Sequence, residues 1–202
     1  AGTLIYDVAF RFDEAVGLQW ALVARRHGEL AGSGPPAPAR PDGLLEALNA
    51  GLPFDLTAGQ REVLEVISAE LAAPKPMNRL LQGEVGSGKT ILAVYAMRRA
   101  VEAGQQAALM APTETLAEQH FRTLETLLAP RPVAAGLLTS ATSGGRRREL
   151  LESLESGAPQ IVVGTHALIE SDVEFASLAV AVVDEQHRFG VRQRAALDEK
   201  GP

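Results

Sequence analysis

The segment GEVGSGKT at residues 83–90 limits the possible folds of this chain more than any other feature. It reads glycine, four residues, glycine, lysine, then threonine. A short apolar run precedes it and a helical pattern follows, and this flanking context makes the motif specific. Glycines at Gly83, Gly86 and Gly88 permit backbone angles closed to other residues. The amides of the loop, Ser87 included, can then converge on phosphate oxygens at a helix N-terminus. Lys89 adds a mobile positive charge for the β and γ phosphates, and the Thr90 hydroxyl can ligate Mg²⁺. The motif therefore requires a strand, a tight loop and a helix in that order, and implies that a nucleoside triphosphate is bound there.

The rest of the chain fits a fold built from such units. From residue 44 onward short apolar runs alternate with helical segments, the signature of a parallel sheet with helices on both faces. Strands are predicted at 79–82, 107–110, 133–138, 161–163 and Leu178–Val183, and helices at 57–72, 89–103, Glu114–Leu128 and 143–156. Right-handed crossovers between parallel strands gather the functional loops at the carboxyl ends of the strands. Ahead of this region Leu4, Val8, Phe12, Val16 and Trp20 recur at a spacing of four, predicting a long amphipathic helix over 4–27. A Pro- and Gly-rich stretch, AGSGPPAPARPDG at 31–43, breaks both helix and strand and reads as a linker or exposed loop. The chain thus divides into an N-terminal helix and loop, 1–43, and an α/β domain, 44–202.

Composition sets the outer limits. With 202 residues, 46% hydrophobic and 22% charged, the chain can bury one substantial core. A formal net charge of −6 means that any nucleic-acid contact has to be local. The absence of cysteine removes disulfides, thiolate zinc sites and cysteine nucleophiles, as a reducing cytosol permits. Residues 1–10 lack the pattern of a secretory leader, so a cytoplasmic protein is expected. The chain starts at Ala1 in mid-pattern and stops at Pro202 after a polar helical stretch, which reads as a fragment of a longer protein.

The apolar run LAVAVV at Leu178–Val183 ends in Asp184, Glu185, Gln186 and His187, placing two carboxylates at the mouth of a buried strand. An acid at a sheet end beside a phosphate loop commonly holds Mg²⁺, here Asp184 through water, with Glu185 placed to polarise the attacking water. A kinase also pairs such a loop with an acid. A second carboxylate beside the metal ligand favours water as acceptor, and so hydrolysis over transfer. Gln186 and His187 can sense the γ phosphate from the same strand end.

These motifs together resemble the helicases of superfamily two. PMNRLLQ at 76–82, APTETLAEQH at 111–120, GTHALI at 164–169 and DEQHRFGVRQR at 184–194 narrow the resemblance to the RecG family of bacterial branched-DNA helicases, over about residues 52–201. That family remodels stalled replication forks and Holliday junctions. The resemblance implies a RecA-like P-loop NTPase domain, ATP and Mg²⁺ as cofactors, DNA as partner and a nucleoid-associated setting. It also implies a DNA-binding wedge and a second motor domain elsewhere in the parent protein, the second domain supplying an arginine to the γ phosphate. Residues 4–27 are similar to the helix joining wedge to motor. Glu84 stands where the family carries Asp. Two alternatives are the motor of a transcription-repair coupling translocase and a P-loop switch without nucleic acid.

Further roles follow from the same resemblance. Gln60 matches the glutamine that reads the adenine edge, and Phe54 packs that base. Thr113 and Glu114 match one segment that contacts the DNA backbone, and Gly164 and Thr165 match a second. Thr113 also stands where a helix N-cap belongs, and both roles are compatible. Arg146, Arg147 and Arg148 read as a solvated helix face rather than a DNA contact, and His120 and His166 read as structural.

Overall fold

A computed structural model of the chain describes residues 3–6, 54–73, 77–83, 86–129, 132–158 and 160–184. Among these residues six strands form one parallel sheet: β1 (Thr3–Tyr6), β2 (Asn78–Leu80), β3 (Gln106–Met110), β4 (Ala135–Leu138), β5 (Ile161–Gly164) and β6 (Leu178–Val183). Their order across the sheet is β2-β1-β6-β3-β5-β4. The helices are α1 (Ala58–Leu71), α2 (Lys89–Glu102), α3 (Glu114–Leu128) and α4 (Gly144–Glu155), and a short 3-10 turn spans His166–Ile169.

The central strands β5 and β6 are apolar throughout because both faces of the sheet are covered there. Side chains alternate along each strand, and the alternation sorts them into two cores. Ala107, Leu109, Ile161, Val163, Val180 and Val182 join Leu64, Ile67, Leu92, Val94, Met97, Ala117 and Leu124 from α1, α2 and α3. Their neighbours Ala108, Met110, Val162, Ala181 and Val183 point the other way, into a smaller core with Leu154 of α4, Ala167, Leu168 and Val173.

Local signals explain where the helices start. Thr57 caps α1 in a reciprocal capping box with Gln60, and Thr113 caps α3 by accepting from the Leu116 N–H at 3.3 Å. Gly88, at φ 87°, opens α2 in the left-handed region. Having no side chain, it leaves the first amides of that helix without a side-chain cap. Two arginines on α2 are fully buried and reach in opposite directions. Arg99 Nη1 donates to Ser68 Oγ of α1 at 2.6 Å, and Arg98 Nη2 points to the Leu127 carbonyl of α3 at 3.4 Å. Each guanidinium thereby holds a neighbouring helix against α2.

Two expectations need correction. Thr3–Tyr6 is a strand, not the start of a helix, and lies between β2 and β6 with Leu4 opposite both Asn78 and Ala181. The rest of the predicted helix, the loop at 31–43 and the proposed boundary at 44 lie outside the described residues. The strand before the phosphate loop is Asn78–Leu80, ending two residues earlier than predicted, because Leu80 is the last residue paired with β1. No described helix is long and apolar enough to cross a membrane.

Candidate nucleotide site at the carboxyl edge of the sheet

The phosphate loop lies between β2 and α2, as its sequence requires. Gly86 and Gly88 have φ of 85° and 87°, in the left-handed region. At Gly88 the positive φ disfavours any side chain, and a Cβ there would also displace the Gln60 amide. A Cβ on Gly83 would meet the Ser87 side chain. Lys89 Nζ donates to the Gly83 carbonyl at 2.7 Å, folding its charge back over the loop. Thr90 is in the first turn of α2 and half-buried.

Gln60 is the second fixed point. Its Oε1 accepts from the Thr57 N–H at 2.9 Å and its Nε2 donates to the Ser87 carbonyl at 2.9 Å. In this arrangement the amide joins the start of α1 to the loop. Phe54, half exposed at 50%, lines a cavity of about 740 Å³ with Leu64, Ser68, Tyr95 and Arg99 between α1 and α2. Gln60 is not among the residues lining that cavity.

Asp184 follows β6 directly, and its N–H donates to the Met110 carbonyl at 2.9 Å, continuing the ladder between β6 and β3. Only β1 separates β6 from β2, so the acid and the phosphate loop leave the sheet about two strand spacings apart, roughly 10 Å. A hydroxyl from Thr90 and a carboxylate from Asp184 are the hard oxygen donors that Mg²⁺ prefers. Glycines that hold the backbone open beside them fit a phosphate-bound metal. Glu185, Gln186 and His187 lie outside the described residues.

The Asp184 carboxylate has a partner that the sequence reading passed over. His120 Nε2 on α3 lies 2.7 Å from Asp184 Oδ2, the two side chains being 18% and 25% exposed. A signal was present. His120 stands three residues after Ala117 and four before Leu124, in line with the buried stripe of α3. A polar ring on such a stripe calls for a buried partner.

The two segments expected at DNA are built differently. Thr113 is exposed at the start of α3. Beside it, Glu114 Oε1 accepts from Ser140 Oγ at 2.7 Å and from the Ala141 N–H at 3.0 Å, clamping the turn after β4. Gly164 is held by packing, since a Cβ there would strike the Leu138 carbonyl and the Leu168 side chain. Thr165 is 2% exposed, and its hydroxyl has no hydrogen-bond partner among the described residues. The arginine run splits as well. Arg146 and Arg148 are exposed, whereas Arg147 Nη2 reaches Glu170 at 2.7 Å and Asp172 at 2.9 Å, tying α4 to the segment after the 3-10 turn.

A family model described as DEAD/DEAH box helicase matches residues 57–200. The chain belongs to that helicase family. Among curated helicases it is similar to the ATP-dependent DNA helicase RecG of Mycobacterium bovis, 54% identical over 202 residues, covering 95% of this chain and 27% of that protein. RecG of Bacillus subtilis is 54% identical over 150 residues, covering 74% and 22%. RecG of Escherichia coli O127:H6 is 44% identical over 189 residues, covering 94% and 27%. A solved structure described as RecG bound to a three-way DNA junction superposes with a TM-score of 0.79 at 39% identity, over 88% of this chain and 24% of that one. This helicase-family chain therefore spans about a quarter of the length of the relatives it matches.

Proposed function

We propose that this chain is the nucleotide-binding motor domain of an ATP-driven helicase of RecG type, acting within a longer protein on branched DNA. The observation that carries the reading is the pairing of two strand ends. The Lys89 loop leaves β2 and the Asp184 acid leaves β6 across a single intervening strand. The likeness to RecG proteins, one of them solved on a three-way DNA junction, supports DNA as the partner.

In the proposed reaction Lys89 turns from the Gly83 carbonyl to the β and γ phosphates, and the loop amides bind the remaining oxygens. Thr90, and Asp184 through water, would hold Mg²⁺, which when bound would supply neutralisation of the phosphate charge. Glu185 takes a proton from the attacking water, while Gln186 and His187 sense the γ phosphate. Gln60 is assigned to the adenine edge and Phe54 to packing the base. Thr113 and Glu114 at the start of α3 are assigned to the DNA backbone. Gly164 and Thr165 are assigned to a second contact with the DNA backbone, which requires the Thr165 N–H to leave the Leu138 carbonyl, to which it now donates at 3.3 Å. A cytoplasmic, nucleoid-associated protein is the corresponding setting.

Calorimetry with Mg·ATP tests the nucleotide site. The chain is expected to bind, and Lys89→Ala to remove measurable binding; unchanged affinity in that variant would sink the assignment. ATPase assays of the longer protein test the partner. Forked DNA is expected to stimulate hydrolysis more than linear duplex, and indifference to DNA would favour a P-loop switch.

A further inference from the structure

Helix α3 presents a buried stripe of Ala117, Leu124 and Leu128, and His120 interrupts it. The ring is drawn inward by a bond to a residue 64 positions away, at the end of β6. The Asp184 backbone is already fixed there by its N–H bond to the Met110 carbonyl. What remains to be set is the carboxylate, whose terminal torsion is broad and close to two-fold when nothing holds it.

We propose that His120 is a positioning residue for the metal anchor. Its Nε2–H donates to Asp184 Oδ2 and holds the carboxylate in one orientation at the strand end. This requires the tautomer, or the charged ring, that carries a proton on Nε2. The proposal rests on the assignment of Asp184 as the Mg²⁺ anchor. Its physical basis is general: a metal-ligating carboxylate is itself oriented by hydrogen bonds, and losing such a partner weakens metal affinity about tenfold or more. α3 is well fixed for the task, because Glu114 clamps its N-terminal end to the turn at Ser140 and Ala141.

The test is the Mg²⁺ dependence of nucleotide binding, read by calorimetry with a non-hydrolysable ATP analogue in EDTA and in Mg²⁺. Two variants separate positioning from space-filling. In His120→Gln the amide nitrogen reaches about as far as Nε2, while in His120→Asn it stops short. His120→Asn is expected to lose about tenfold of the Mg²⁺-dependent gain in affinity with its EDTA affinity unchanged, and His120→Gln to keep most of that gain. Asp184→Asn, run alongside, is expected to abolish the gain. If it does and His120→Asn retains the wild-type gain, the positioning role is overturned while the anchor stands. An equal fall of both histidine variants in EDTA and in Mg²⁺ overturns it in favour of plain packing. If Asp184→Asn leaves the gain intact, the anchor assignment fails and takes the proposal with it.

Discussion

The side-chain amide of Gln60 spans two elements, its Oε1 accepting from the Thr57 N–H and its Nε2 donating to the Ser87 carbonyl, each at 2.9 Å. One residue therefore closes the capping box of α1 and braces the phosphate loop. Gln60→Ala is expected to lower unfolding free energy by about 1 to 2 kcal/mol, the sum of a helix cap and one hydrogen bond. It should also weaken discrimination between ATP and GTP. Denaturant titration reads the first effect and competition binding the second, and unaltered nucleotide preference would leave Gln60 a brace alone.

Gly164 answers a separate question, whether its role is packing or ligand contact. Gly164→Ala drives a methyl group into the Leu138 carbonyl and Leu168, and is expected to cost about 2 to 3 kcal/mol of stability by urea denaturation. Gly145→Ala is the contrast. Nothing stands within 4 Å of its added methyl on α4, so it should be neutral or stabilise the chain by up to about 1 kcal/mol.

For Glu114 the two bonds to Ser140 and Ala141 set the expectation. Glu114→Ala should lose about 1 to 2 kcal/mol in thermal or denaturant unfolding, before any DNA is added. If stability is unchanged and only DNA binding by the longer protein falls, the clamp is unimportant and the DNA role dominates.

Glu185→Gln keeps the shape of the side chain and removes its basicity. In the longer protein it should leave ATP affinity intact and lower turnover by about 10²-fold or more. Rates within a fewfold of wild type would exclude Glu185 as the base.

Much of this architecture was legible in the residues themselves. Local signals bound α1, α2, α3 and α4 within a residue or two of their predicted ends; Thr57 and Thr113 mark helix starts through their side chains and Gly88 through its backbone. The unbroken apolar runs of β3, β5 and β6 announced a sheet covered on both faces, and the glycine spacing of 83–90 announced the loop.

What depended on the assembled chain was every relationship between distant residues. Four-residue spacing predicted a helix from Leu4, but spacing is a local property, and Thr3–Tyr6 is a strand because β2 and β6 supply its hydrogen bonds from both sides. The buried partner of His120 was equally out of reach, since the sequence marks a polar residue on an apolar stripe without naming what meets it. Glycine at 164 was visible, whereas its reason was not. A carbonyl of the neighbouring strand occupies the space of its missing side chain, and only the packing of β4 against β5 brings that carbonyl there.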